Sequence, residues 1–154
     1  MTAVIVHTYD LREEPVGPVY RALVAAADEV CDAFLLVRRH ETTDESALGV
    51  IEHLSPWLIE ESEASGWPGT DLLGHTATVY KFKATAETLA FLAQRVDRLY
   101  AWRQPDLPED LCLLRAADGS PWLATIAHEA DGFLMLSEAE REDLITRAPG
   151  LDFN

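Results

Sequence analysis

The sequence predicts an α+β domain: a mainly antiparallel sheet, ending in a three-stranded meander, with helices packed on it. Three observations carry this. Short apolar runs alternate with segments whose apolar residues recur at helical spacing. The last third holds three apolar segments separated by Asp118-Gly119 and Asp131-Gly132, and Asp-Gly between apolar runs is a hairpin signal. The 154 residues are 48% hydrophobic and no long Ser-, Gly- or Pro-rich linker divides them, which fits one domain over 1–154.

Ala3 to Thr8 reads as a first strand. Pro15, Gly17 and Pro18 then break the chain, and Pro18 suits a first helical turn. Val19, Leu23, Ala26 and Val30 predict a helix over about 18–31. Phe34-Leu35-Leu36-Val37 reads as a buried strand, and this N-terminal strand–helix–strand unit leaves room for a mixed sheet. Thr43 or Asp44 caps a second helix on Leu48, Ile51 and Leu54, ending near Ser55-Pro56. Trp57 to Glu63 reads either as a weak strand or as one more helical turn. Thr76 to Lys83 alternates, with Val79, Lys81 and Lys83 on one face and Tyr80 and Phe82 on the other. Thr85 caps a third helix striped by Leu89, Leu92, Val96 and Leu99, ended by Pro105 and Pro108. Leu111 to Arg115, Trp122 to Ala127 and Phe133 to Leu136 form the meander. Ser137 and Glu140 make a capping box for a last helix to about Arg147.

Charge bounds the function. There are 27 Asp and Glu against 12 Lys and Arg, a formal charge of −15. Residues 1–77 hold 14 acids and four bases, so the first half carries a net −10 and residues 78–154 a net −5. Such a surface repels nucleic acid and anionic membrane and attracts basic partners. No run reaches the ~18 apolar residues of a membrane span. Met1 to His7 lacks the basic n-region of a signal peptide. The expectation is a soluble, cytoplasmic protein with neither nucleic acid nor membrane as ligand. The cysteines, Cys31 and Cys112, read as two separate buried thiols.

Catalytic signals are sparse. The histidines (His7, His40, His53, His75 and His128) make no H-x-x-x-H or H-E-x-x-H pair, and no CxxC, phosphate loop or Ser elbow is present. No metal or cofactor is therefore expected, and the reading leans away from an enzyme. His128-Glu129 lies at a predicted strand end, where a His can act as a general base. Trp67 to Thr76 holds Pro, Gly, an aromatic and His75, a combination common in binding loops. Two acidic clusters remain. Glu60, Glu61 and Glu63 precede the Trp67 loop, and Glu138, Glu140, Glu142 and Asp143 open the last helix.

Trp67-Pro68-Gly69-Thr70, Leu107 to Leu111, Asp118 to Trp122 and Ile126-Ala127-His128-Glu129 carry a resemblance over about residues 57–140. In them the chain resembles a group of small, functionally unassigned bacterial proteins, which implies no activity. In size, shape and acidity it also resembles the immunity proteins that neutralise toxin domains; that likeness carries no residue across. The expectation is an acidic protein-binding module that meets a basic, nuclease-like toxin through Glu60, Glu61, Glu63 and Trp67, then Glu138, Glu140, Glu142 and Asp143. The alternative is a small-molecule enzyme or sensor with a pocket around Trp67–Thr76, Tyr80, Trp122 and His128.

Overall fold

A computed structural model of the protein describes residues 5–39 and 44–154. The structure is α+β, with 35% helix and 36% strand. The chain runs β1 (His7–Asp10), α1 (Pro18–Ala26), β2 (Cys31–Arg38), α2 (Glu45–Leu54), β3 (Leu58–Ala64), β4 (Gly66–Trp67), β5 (Thr70–Asp71), β6 (Ala77–Lys83), α3 (Ala86–Arg95), β7 (Glu109–Arg115), β8 (Pro121–Ile126), β9 (Asp131–Leu136) and α4 (Glu138–Arg147). Seven strands form one sheet in the order β1-β9-β8-β7-β2-β6-β3, and β4 and β5 form a separate hairpin. Every pairing among the described residues is antiparallel, so the room left for a mixed sheet is not used.

The sheet has two unlike faces. Phe34, Leu36, Tyr80, Phe82, Leu111, Leu113, Leu134 and Leu136 meet Tyr20, Leu23 and Val24 of α1, Val50 and Leu54 of α2, Leu89 and Leu92 of α3, and Leu144 of α4 in one core. At its centre, buried Tyr20 donates its hydroxyl to the Leu92 carbonyl at 2.5 Å and accepts from Trp102 Nε1 at 3.0 Å. The opposite face carries smaller residues: Ala33, Cys112, Leu114 and Ala124 in one cluster, Val37, Ala77 and Val79 in another. The β4–β5 hairpin straps this second face. Trp67 packs on Val37, Ala77 and Val79, and Gly69 lies against Ile126 and Phe133. Both cysteines are buried and unpaired. Burial is the main reason the Cys31 thiol is pushed up to about 12, so it stays protonated at neutral pH.

Several boundaries move. The first strand forms at His7–Asp10; its expected start at Ala3 and Val4 falls outside the described residues, as do His40 and Thr43. α1 stops at Ala26 and a 3₁₀ turn carries the chain to Glu29, so Cys31 opens β2 instead of closing the helix. Asp44 caps α2, its carboxylate accepting from the Ser46 and Ala47 amides. Of the two readings of Trp57–Glu63 the strand is the one formed, from Leu58 onward; Trp57 alone belongs to a 3₁₀ turn over Ser55–Trp57. α3 ends at Arg95, well short of Pro105. Val96 turns to an extended conformation, and the segment that follows pairs with the chain before α1: Val16 bridges Arg98, and the Leu99 amide donates to the Pro15 carbonyl. Leu99 is still buried, from a 3₁₀ turn rather than a helix.

The meander is present, but only one Asp-Gly forms its turn. Gly119 has φ of 74° in the β7–β8 hairpin, where Asp118 accepts from the Ser120 amide. The β8–β9 connection is a 3₁₀ turn over Ala127–Glu129 closed by Ala130 at φ 53°. Asp131 and Gly132 already belong to β9. Gly132 sits in close packing: a Cβ there would lie 2.9 Å from Leu11 Cδ1, 3.2 Å from the Tyr100 hydroxyl and 3.3 Å from the Ala124 carbonyl oxygen, so Leu11 would have to shift.

Candidate functional site

The two acidic clusters lie at different ends of the sheet. β3 is one edge strand, whereas α4 follows β9, next to the opposite edge. At about 4.8 Å per strand, β3 and β9 are about 24 Å apart. A partner touching both clusters would have to span most of the sheet.

On β3, Glu60 stands opposite Lys81, Glu61 opposite Tyr80 and Glu63 opposite Thr78. Directly opposed residues share a face. Glu60 therefore points to the strapped face, Glu61 and Glu63 to the helical face. Glu60 and Glu61 are exposed. Glu63 is anchored, its carboxylate accepting from Thr78 Oγ1 at 2.6 Å and from Thr76 Oγ1 at 3.4 Å. Leu58 and Ile59 on the same strand are 39% and 48% exposed. The acidic run thus rims both sides of an edge with apolar residues beside it.

On α4 the acids have mostly local duties. Ser137 and Glu140 form the expected capping box. Glu140 also takes a bidentate ion pair from Arg115, at 2.6 and 2.7 Å, while the same guanidinium donates to the Met135 carbonyl. This hydrogen bonding holds the Glu140 carboxyl below the usual carboxylate range. Asp143 lies 3.8 Å from Arg147 one turn on. Glu138 and Glu142 are exposed and, with Tyr9 and Arg141, line a shallow cavity of about 330 Å³.

The loop residues separate as well. Trp67 is only 8% exposed and is part of the strap's packing, not an exposed anchor. Its indole Nε1 donates to Asp110 Oδ2 at 3.0 Å, and the Ala127 amide donates to Asp110 Oδ1 at 2.9 Å. One buried carboxylate therefore ties the strap, β7 and the turn carrying His128. His75 is exposed at the end of the strap.

His128 belongs to a group that the sequence did not suggest. Consecutive strand residues normally point to opposite faces. Between Leu35–Cys112 and Val37–Glu109, three steps on β7 oppose two on β2, and Asp110 sits in that bulge at φ 58°. The bulge brings Glu109 and Asp110 to the same side, where the ligand atoms of Glu109, Asp110 and His128 lie within 4.8 Å of one another. Arg39 pairs with Glu109 at 3.0 Å and its guanidinium lies over the Trp67 ring at 5.4 Å. Arg39, Gln104, Pro105, Glu109 and His128 line an open cavity of about 500 Å³. Burial raises both carboxyls above the usual range, Glu109 further through its neighbour Asp110. Such a group can ligate a cation or exchange a proton. The sequence signalled its parts separately, His128 as a strand-end histidine and Glu109-Asp110 as adjacent acids ahead of an apolar strand, but not their convergence.

No helix among the described residues is long and apolar enough to cross a membrane. No protein-family model matches the sequence, and neither a curated protein nor a solved structure is significantly similar to it.

Proposed function

We propose that this protein is a binding module for a basic protein, of the kind an immunity protein provides against a cationic nuclease-like toxin, and that the partner docks along the β3 edge. The observation that carries the reading is the run Leu58 to Glu63 on an edge strand, with Glu60 and Glu61 exposed on opposite faces beside exposed Leu58 and Ile59. An extended segment added beside β3 would gain main-chain hydrogen bonds and could set a basic side chain against carboxylates on either face. The chain's −15 charge would speed the encounter and disfavour acidic competitors.

Acids on an edge strand also discourage self-pairing, so the experiment must separate the two roles. Purified cationic nuclease domains are titrated against the wild type and against Glu60→Lys/Glu61→Lys. Binding to at least one domain is expected, weakening with salt and about 10- to 100-fold slower in association for the reversal. If no domain binds, or if the reversal only makes the protein self-associate while partner binding stays at wild-type strength, the reading fails.

A further inference from the structure

We propose that Glu109, Asp110 and His128 form a binding site for one divalent transition-metal ion. Two carboxylate oxygens and an imidazole nitrogen suit ions such as zinc or manganese better than magnesium, which prefers an all-oxygen, largely hydrated shell.

Four observations converge. The bulge at Asp110 turns two neighbouring carboxylates to one side, and the strand-end turn brings His128 to them, all ligand atoms within 4.8 Å. The carboxylates are buried, Asp110 at 0% and Glu109 at 4% exposure, so water solvates them poorly. Asp110 is already oriented by Trp67 and the Ala127 amide, each oxygen keeping a further lone pair, as the supporting bonds of metal ligands do. Glu109 Oε2 lies at the cavity wall without a hydrogen bond; Arg39 Nε stands 3.0 Å away in an ion pair that lacks hydrogen-bond alignment. Among the described residues, two buried acids face one guanidinium, which leaves room for a further positive charge.

The geometry also says what must move. Ligands about 2.1 Å from a tetrahedral ion stand about 3.4 Å apart. Ligand atoms that lie within 4.8 Å of one another must therefore close by at most about 1.4 Å. Exposed His128 has the freedom to swing inward, and Arg39, whose side chain is 31% exposed, can withdraw from Glu109 into the open cavity. Arg39 is then a competitor for the site.

The test is calorimetric titration of the metal-stripped full chain with zinc, repeated with manganese and with magnesium. One zinc per chain is expected. His128→Ala and Glu109→Gln should each weaken it about tenfold or more, Arg39→Gln should tighten it, and His75→Ala should leave it unchanged. Thermal melts of each metal-free variant check folding; His128 is exposed, so His128→Ala should melt near wild type, while Glu109→Gln, which loses the charge paired with Arg39, should melt somewhat lower but still cooperatively. The proposal is overturned if neither zinc nor manganese binds the wild type, or if folded His128→Ala and Glu109→Gln bind as tightly as it does. It is equally overturned if His75→Ala abolishes binding.

Discussion

Glu140→Ala should unfold the protein more easily without touching partner recognition. Glu140 holds Arg115 through two hydrogen bonds and closes the α4 cap by accepting from the Ser137 amide at 2.8 Å. The Arg115 side chain is 9% exposed and that of Glu140 22%. Removing one member of a fully buried pair costs about 3–5 kcal/mol. Water reaches Glu140, so the pair is worth about 2 kcal/mol here, and the lost cap bond adds about 0.5–1 kcal/mol. A loss of about 3 kcal/mol lowers Tm by roughly 6–12 °C in a chain of this size. The effect has a pH signature. Glu140 is held below its ordinary value, so its contribution is complete above the unfolded carboxyl near pH ~4.3 and is lost as pH falls through the lower folded value. Urea melts of the wild type and Glu140→Gln from neutral pH to about pH 3 should show a gap that shrinks below about pH 4 and closes in acid. A gap that persists undiminished in acid, or Glu140→Ala melting with the wild type, would refute the assignment. Folded Glu140→Gln should bind a cationic partner normally, whereas the β3 reversal should melt normally and bind poorly.

Asp110→Ala strands the Trp67 indole and Ala127 amide and puts alanine at φ 58°; a loss of about 3–5 kcal/mol is expected in urea melts, with loosening of the strap read by hydrogen exchange at residues 66–71. Tyr20→Phe leaves the buried Trp102 Nε1 without its acceptor and the Leu92 carbonyl without this donor, which should cost about 1–3 kcal/mol by the same assay. Gly132→Ala forces a Cβ to within 2.9 Å of Leu11 Cδ1, and about 1–3 kcal/mol of overpacking should appear as a lower Tm; a wild-type Tm would mean that Leu11 yields freely.

Local chemistry made much of the fold legible. Asp44, Thr85 and Ser137 cap helices where small oxygen-bearing side chains precede helical runs, and Tyr80 and Phe82 enter the core because alternation fixes a strand's face. Tertiary pairing was not legible. The stripe Leu89, Leu92, Val96, Leu99 favours a longer helix, but pairing with Pro15 and Val16 pulls residues 96–99 out of it. Asp131-Gly132 carries turn chemistry yet is used for close packing against Leu11 and Tyr100. The candidate sites follow the same division. The exposed carboxylates of β3 could be named from composition, but not their division between two faces, which depends on register with β6. Glu140 could be seen as a cap, but Arg115, 25 positions earlier, could not be seen as its partner. The Glu109–Asp110–His128 group depends on a bulge at a non-glycine residue, and nothing around Asp110 in the sequence announces its positive φ.

The most direct test of edge docking is amide hydrogen exchange in the presence of a cationic nuclease domain that binds. The account predicts slower exchange concentrated at residues 58–64, where the edge amides would pair with the added segment, and a loss of this protection in Glu60→Lys/Glu61→Lys. Protection confined to α4, or binding that leaves residues 58–64 exchanging as in the free protein, would contradict it.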